Sequence, residues 1–126
     1  MSVRIYLAIA VGGVLGCSAR YAMTELVGSI FGRDFPYATL SINVLGSFLM
    51  GFLFVEMFER LEVEPYLRIG ILTGVLGGFT TFSAFAMETL ILLERGETGK
   101  GVLYVMLSVG LSLAGVFVGA FIARDL

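Results

Sequence analysis

The chain has 126 residues, of which 58% are hydrophobic and 14% are charged, and its net charge is −2. A soluble domain of this size buries too little surface to hide so much apolar area, so the composition predicts a membrane protein that faces lipid. The absence of a basic excess argues against a nucleic-acid partner, and the lack of His together with a single Cys excludes His-based catalysis, His/Cys metal sites and an internal disulfide.

Four apolar segments, separated by short charged loops, are each long enough for a membrane-spanning helix, which needs roughly 20 residues. They are predicted at about residues 5–27, 37–55, 66–93 and 102–123. Pro36 and Pro65 stand at the starts of the second and third segments, where a missing N–H costs least. The short loops make neighbouring helices antiparallel. We therefore predict one all-α transmembrane domain over residues 1–126.

The first segment begins after Arg4, as a secretory signal peptide also would. Its apolar run continues past the length of a signal-peptide core and no polar mature domain follows, so we interpret it as a retained helix. Arg20 lies inside this segment, a turn or two from its end. This arginine either extends to the membrane surface or stands at the entrance of an anion path.

The second segment carries a small set of polar residues, namely Thr39, Ser41, Asn43 and Ser47. Asn43 is the most informative of them, because a buried amide needs partners at both its ends. A hydrogen bond between helices is the common use of such an Asn in membranes, and contact with an ion is the alternative.

The third segment contains the run GGFTTFSAF at residues 77–85. Glycines and hydroxyl side chains disfavour a helix, so the run predicts a break near mid-membrane, where a break must be buried in protein or line a cavity. A glycine kink with hydroxyls bonded back to the helix is the alternative. At a break, freed carbonyls can coordinate a cation and freed N–H groups favour anions.

Phe79, Phe82 and Phe85 follow at three-residue spacing and would share one face of a helix. The edges of their rings carry partial positive charge and would attract an anion weakly. Glu88, near the end of the segment, either pairs with Arg20 or reaches a vestibule.

The fourth segment places three hydroxyls on one helix face at four-residue spacing: Tyr104, Ser108 and Ser112. No acidic residue lies at the centre of any segment. Hydroxyls, one amide and free backbone groups suit a small, hard anion, which needs compact hydrogen-bond donors to replace its water. This chemistry does not identify the anion.

Positive charges are balanced between the two sides of the predicted bundle. One side receives Arg4, Arg60, Arg68 and Arg124. The other receives Arg33, Arg95 and Lys100, with Arg20 as a fourth if it reaches that surface. Because orientation normally follows a Lys/Arg excess in cytoplasmic loops, this balance predicts insertion both ways round and pairing of two inverted copies. A single orientation set by cellular factors is the alternative.

The GGFTTFSAF run, Asn43 within SINVLG at residues 41–46, and Arg20 after Gly16 together resemble the bacterial fluoride channel family known as Fluc or CrcB. The resemblance covers the whole chain in length, number of spans and charge balance. It implies a multi-pass protein of the bacterial inner membrane that exports fluoride passively and so relieves its toxicity, as an antiparallel homodimer with two pores.

The resemblance also implies roles for individual residues. A sodium ion at the dimer centre would be held by the backbone carbonyls of Gly77 and Thr80. Ring edges, an amide and hydroxyls would form the anion pathway, contributed by Phe82, Phe85, Asn43, Tyr104, Ser108, Ser112, Thr39 and Ser83. Arg20 and Glu88 would stand in vestibules.

Three other classes of protein fit the sequence less well than a channel of this family. A small dual-topology multidrug exporter shares the size and charge balance but needs a Glu inside the first span, where this chain has Arg20. A non-conducting assembly subunit would leave the cluster of hydroxyl and Phe side chains without a role. An enzyme is disfavoured because no pair of nucleophile and base is visible.

Overall fold

The computed structural model describes residues 2–126, and no strand occurs within that range. Its α-helices are α1 Val3–Phe31, α2 Tyr37–Val55, α3 Pro65–Ile69, α4 Gly77–Phe79, α5 Phe82–Glu94 and α6 Thr98–Asp125. Two π-helical stretches, Glu56–Arg60 and Gly70–Leu76, extend α2 and join α3 to α4. Together these form four helical spans long and apolar enough to cross a membrane, as predicted: Val3–Phe31, Tyr37–Arg60, Pro65–Glu94 and Thr98–Asp125.

Most of the helices run beyond the predicted apolar segments. α1 continues to Phe31 rather than ending near residue 27, and α6 begins at Thr98 rather than near residue 102. Hydropathy measures only the width of the hydrocarbon layer, whereas a helix continues until its backbone is capped. Gly32 ends α1 with a φ of 82°, which is a left-handed conformation that glycine adopts without strain.

α1 and the third span touch through their backbones. A Cβ atom on Gly12 would overlap the carbonyl oxygen of Gly70, and one on Gly16 would overlap that of Val75. A Cβ on Gly74 would stand 2.9 Å from the carbonyl oxygen of Ile9. Rows of small residues allow this close approach, which supplies van der Waals contact where lipid offers no hydrophobic drive.

α2 and α6 form a second seam of the same kind. A Cβ on Gly51 would overlap the carbonyl oxygen of Val116, and one on Gly119 would overlap that of Phe48. The outward faces of α1 and α6 remain exposed and apolar, with Val11 at 61% and Phe121 at 71% exposure. These faces suit contact with lipid.

The backbone is extended at Thr80 and Thr81, between α4 and α5. The Thr81 hydroxyl accepts a hydrogen bond from the Ala84 N–H at 3.1 Å and so caps α5. Gly77 and Gly78 themselves are helical. Phe79 precedes the extended residues and is buried, so the single helix face expected for Phe79, Phe82 and Phe85 is wrong, because the change in backbone direction separates the first ring from the other two.

The glycine seam gives a test of this packing. Gly16→Ala should lower the free energy of unfolding by about 1–3 kcal/mol, because the added methyl group has no room against the Val75 carbonyl. Unfolding in detergent micelles, followed by circular dichroism, measures the change. Gly13→Ala is the matched control, since a Cβ there meets nothing within 4 Å. Equal stabilities for the two variants would contradict the seam.

Candidate functional site

The side-chain amide of Asn43, in α2, hydrogen-bonds to both the N–H and the carbonyl of Thr81 in the extended stretch. Its Nδ2 donates to the carbonyl oxygen of Thr81 at 3.0 Å, and its Oδ1 accepts from the Thr81 N–H at 2.8 Å. The side-chain amide thus supplies the hydrogen-bond partners that a helix would otherwise give to the backbone of Thr81. One N–H of the Asn43 amide remains for another acceptor.

A cavity of about 370 Å³ lies beside this contact, between α2, the extended stretch, α5 and α6. We call it the groove. Five of the predicted pathway residues line it: Asn43, Phe82, Phe85, Ser108 and Ser112. The remaining lining is largely small or apolar, apart from Ser47, Thr80 and Thr81. No carboxylate lines the groove.

Ser108 is the unusual member of the groove lining. Its side-chain oxygen is buried and, within the part of the chain that the structure describes, it makes no hydrogen bond. It lies one helical turn from Tyr104 on the same face of α6. This hydroxyl is therefore placed where it could donate a hydrogen bond into the groove.

A second polar cluster forms around Glu88. Its Oε1 accepts from the Tyr104 hydroxyl at 2.9 Å, and its Oε2 accepts from the Thr39 hydroxyl at 3.0 Å. Both donors are buried, and neither lines the groove. The structure therefore joins Thr39 and Tyr104 to Glu88, and it pairs Glu88 with these hydroxyls rather than with Arg20.

Glu88 also lines a second cavity, of about 190 Å³, at one end of the bundle. Arg33, Arg95 and the loop at residues 32–36 complete much of its wall. The vestibule role implied for Glu88 stays a prediction.

Aromatic rings connect the two cavities. The centroids of Phe82 and Phe85 are 5.3 Å apart, and those of Phe85 and Tyr104 are 5.2 Å apart, with tilted planes in both pairs. Phe85 is 9% exposed, whereas Phe82 is 77% exposed on the surface of the single chain. Tilted rings present edges as well as faces to the space beside them.

Ser83 and Arg20 lie away from the lining of both cavities. The Ser83 hydroxyl is exposed, 3.3 Å from the Thr81 hydroxyl. Arg20 is partly buried, and its Nε donates to the carbonyl oxygen of Gly78 at 3.1 Å. Neither predicted residue is part of the groove in this chain.

Because of the extended stretch, some backbone carbonyls of the third span lack the N–H donors that a helix would provide. In a continuous helix, the carbonyls of Gly77 and Thr80 would accept from the N–H groups of residues 81 and 84. The Thr81 N–H instead binds Asn43, and the Ala84 N–H binds the Thr81 hydroxyl. The two carbonyls implied as sodium ligands have thus lost their usual helical partners.

Ser47, Thr80 and Thr81 line the groove but were not predicted as part of the anion pathway; Thr80 was expected only as a backbone ligand of sodium. Ser47 lies four residues after Asn43, so helical spacing alone places it on the same face of α2. Thr80 carries no such signal, because its placement depends on the extended backbone and on Gly46, where a Cβ would overlap its methyl group.

Comparison with known proteins matches residues 7–120 to the family described as CrcB-like protein, Camphor Resistance (CrcB). The chain is 58% identical over 117 residues to a fluoride-specific ion channel FluC of Acidithiobacillus ferrooxidans, which covers 93% of this chain and 94% of the relative. It is 46% identical over 120 residues to the protein of that name from Roseiflexus sp., covering 95% and 97% of the two chains. The Rhizobium meliloti protein of that name is 43% identical over 118 residues, covering 94% of each.

The contact between Asn43 and Thr81 gives a second prediction. Asn43→Leu should lower the free energy of unfolding by about 2–5 kcal/mol, because it leaves a peptide N–H and a carbonyl without partners. Ser41→Ala is the control, since the Ser41 hydroxyl only bonds back to the Ala38 carbonyl of its own helix. Unfolding in micelles compares the two variants. A loss for Asn43→Leu no larger than that for Ser41→Ala would count against the contact.

Proposed function

This chain belongs to the CrcB-like family, and we infer from that membership that it is a fluoride-selective ion channel of the cell membrane. Fluoride passes through it down its own gradient and leaves the cell. The observation that supports this function at the level of residues is the free hydroxyl of Ser108 beside a groove that also presents an amide and ring edges.

The chemistry of the groove favours a small anion over a cation. Its polar atoms include the hydroxyls of Ser108 and Ser112 and the remaining N–H of Asn43, all of which can donate hydrogen bonds. A cation would need acceptors, and no carboxylate lines this space. Fluoride is costly to dehydrate, and compact donors can replace part of its water shell.

The proposed pathway runs along the groove and then past the rings toward Glu88. Ser112 and Ser108 lie on α6 one turn apart, and Phe82 and Phe85 stand across the groove on α5. Tyr104 and Thr39 follow, hydrogen-bonded to Glu88 at the wall of the second cavity. Ring edges that attract an anion weakly suit conduction, because an ion held tightly would not leave.

The working unit in this proposal is a homodimer of two inverted copies with two pores. Phe82 is 77% exposed in the single chain, although it borders the groove, so a second copy is needed to enclose the pathway. The balanced positive charges of the loops support insertion in both orientations. In this arrangement the extended residues Thr80 and Thr81 lie at mid-membrane, buried in protein and not against lipid.

A sodium ion at the dimer centre fits the residues present. The carbonyls of Gly77 and Thr80 have lost their helical donors, and two such oxygens from each copy would make a four-oxygen site. Backbone carbonyls can replace the hydration shell of a monovalent cation. When bound, the ion would supply a positive charge shared by both copies.

The multidrug-exporter alternative has less support. Such a protein needs a carboxylate inside the first helix. In α1 the one carboxylate is Glu25, which lies 3.4 Å from Arg33 near the end of the helix, at 54% side-chain exposure.

Fluoride efflux from liposomes that hold the purified protein tests the function directly. We expect fluoride to leave rapidly and chloride to remain, when each is followed with an ion-selective electrode after a potassium ionophore removes the opposing voltage. Equal efflux of the two halides, or no efflux of either, would reject a fluoride-selective channel.

Phe82 gives a test of the pathway. Phe82→Ile should reduce fluoride efflux by about tenfold or more, because an aliphatic group of similar bulk removes the ring edge from the groove. Phe121→Ile is the matched control, an exposed ring on the outward face of α6 that should leave efflux unchanged. Size-exclusion chromatography checks that both variants remain dimers. Wild-type efflux from an intact Phe82→Ile dimer would remove Phe82 from the pathway.

A further inference from the structure

Arg20 is a charged residue inside a membrane span without a carboxylate partner. Arg4, Arg33, Arg60 and Arg124 each lie within 3.6 Å of a carboxylate oxygen. Among residues 2–126, Arg20 makes no such ion pair, and its side chain donates to the carbonyl oxygen of Gly78 instead. Charges at membrane depth are costly and are usually kept for a purpose.

The Gly78 carbonyl, which Arg20 binds, lacks its helical donor because of the extended stretch. In a continuous helix the Gly78 carbonyl would accept from the N–H of residue 82, but α5 begins only at Phe82. A guanidinium can fill this acceptor with a charge-assisted hydrogen bond, which is stronger than a neutral one. Gly78 lies between Gly77 and Thr80, whose carbonyls are the proposed sodium ligands.

The packing of α1 fixes the position from which Arg20 acts. Gly12, Gly16 and Arg20 follow at four-residue spacing on the face of α1 that touches the third span. A Cβ on Gly78 would stand 3.1 Å from the Gly13 carbonyl oxygen and 3.2 Å from the Cys17 backbone nitrogen, so the Gly78 peptide lies directly against α1. Arg20 therefore reaches a peptide that lies against its own helix.

We propose that Arg20 is a positioning residue for the sodium site. By holding the Gly78 carbonyl against α1, it occupies the carbonyl next to that of Gly77 and fixes the peptides on either side of it. This inference rests on the proposed sodium site and goes beyond it, because it assigns to a residue of α1 the positioning of the ligand carbonyls on the third span.

The direction in which the required sodium concentration changes when Arg20 is replaced separates this role from simple electrostatics. If Arg20 acted only as a nearby positive charge, its removal would reduce repulsion and lower the sodium concentration that the protein requires. If Arg20 fixes the ligands, its removal leaves them mobile and raises that concentration.

The experiment measures the melting temperature of the purified dimer in detergent as sodium chloride replaces choline chloride at constant ionic strength. A cation that binds the folded state raises the melting temperature, and the midpoint of the rise reports its affinity. We expect Arg20→Met to raise the midpoint concentration about tenfold, corresponding to the loss of one charge-assisted hydrogen bond. Arg20→Lys, which can still donate to the carbonyl, should stay within about threefold of wild type.

Arg33→Met is the matched control, because it removes an arginine that contacts α1 far from Gly78. Its sodium midpoint should equal that of wild type. If Arg20→Met yields no folded dimer, Arg20→Gln takes its place with the same expected direction. A midpoint that is unchanged or lowered in the variant used would overturn the proposal.

Two other outcomes distinguish this inference from the function on which it rests. A wild-type protein without any sodium-specific rise in melting temperature rejects the sodium site and, with it, the role of Arg20, while fluoride efflux still tests the channel. A variant with a wild-type sodium midpoint but reduced fluoride efflux places Arg20 in the anion pathway and overturns the positioning role.

Discussion

The side-chain amide of Asn43 makes the extended stretch at Thr80 and Thr81 tolerable in a molecule surrounded by lipid. Every backbone polar group in such a setting must find a partner within the protein. Asn43 gives Thr81 both a donor and an acceptor at 3.0 and 2.8 Å, which is the pairing that a neighbouring strand would give. Without this contact the N–H and the carbonyl of Thr81 would have no partner in the protein.

The extended stretch thus affects the structure on two sides of the third span. Toward α2 and α6 it opens the groove, where the free hydroxyl of Ser108 and the rings of α5 are presented. It also leaves carbonyls without helical donors, of which Arg20 of α1 takes up that of Gly78.

Much of this arrangement could be predicted from residue type and spacing. Hydropathy located the four helical spans, and four-residue spacing placed Ser108 and Ser112 on one face of α6. The partners of Glu88 could not be found in this way, because Thr39 and Tyr104 lie 49 and 16 residues from it along the chain and meet it only through tertiary packing. The position of Phe79 was missed because a helical period was carried across a point where the backbone changes direction.

The backbone seam between α1 and the third span limits how the family can vary. In an ordinary core, a larger residue on one helix can be accommodated by a smaller one on its neighbour. At Gly12, Gly16 and Gly74 the opposing atoms belong to the main chain, so neither helix has a side chain there that could be replaced by a smaller one. An added side chain at any of these three positions therefore cannot be offset by a smaller residue on the facing helix.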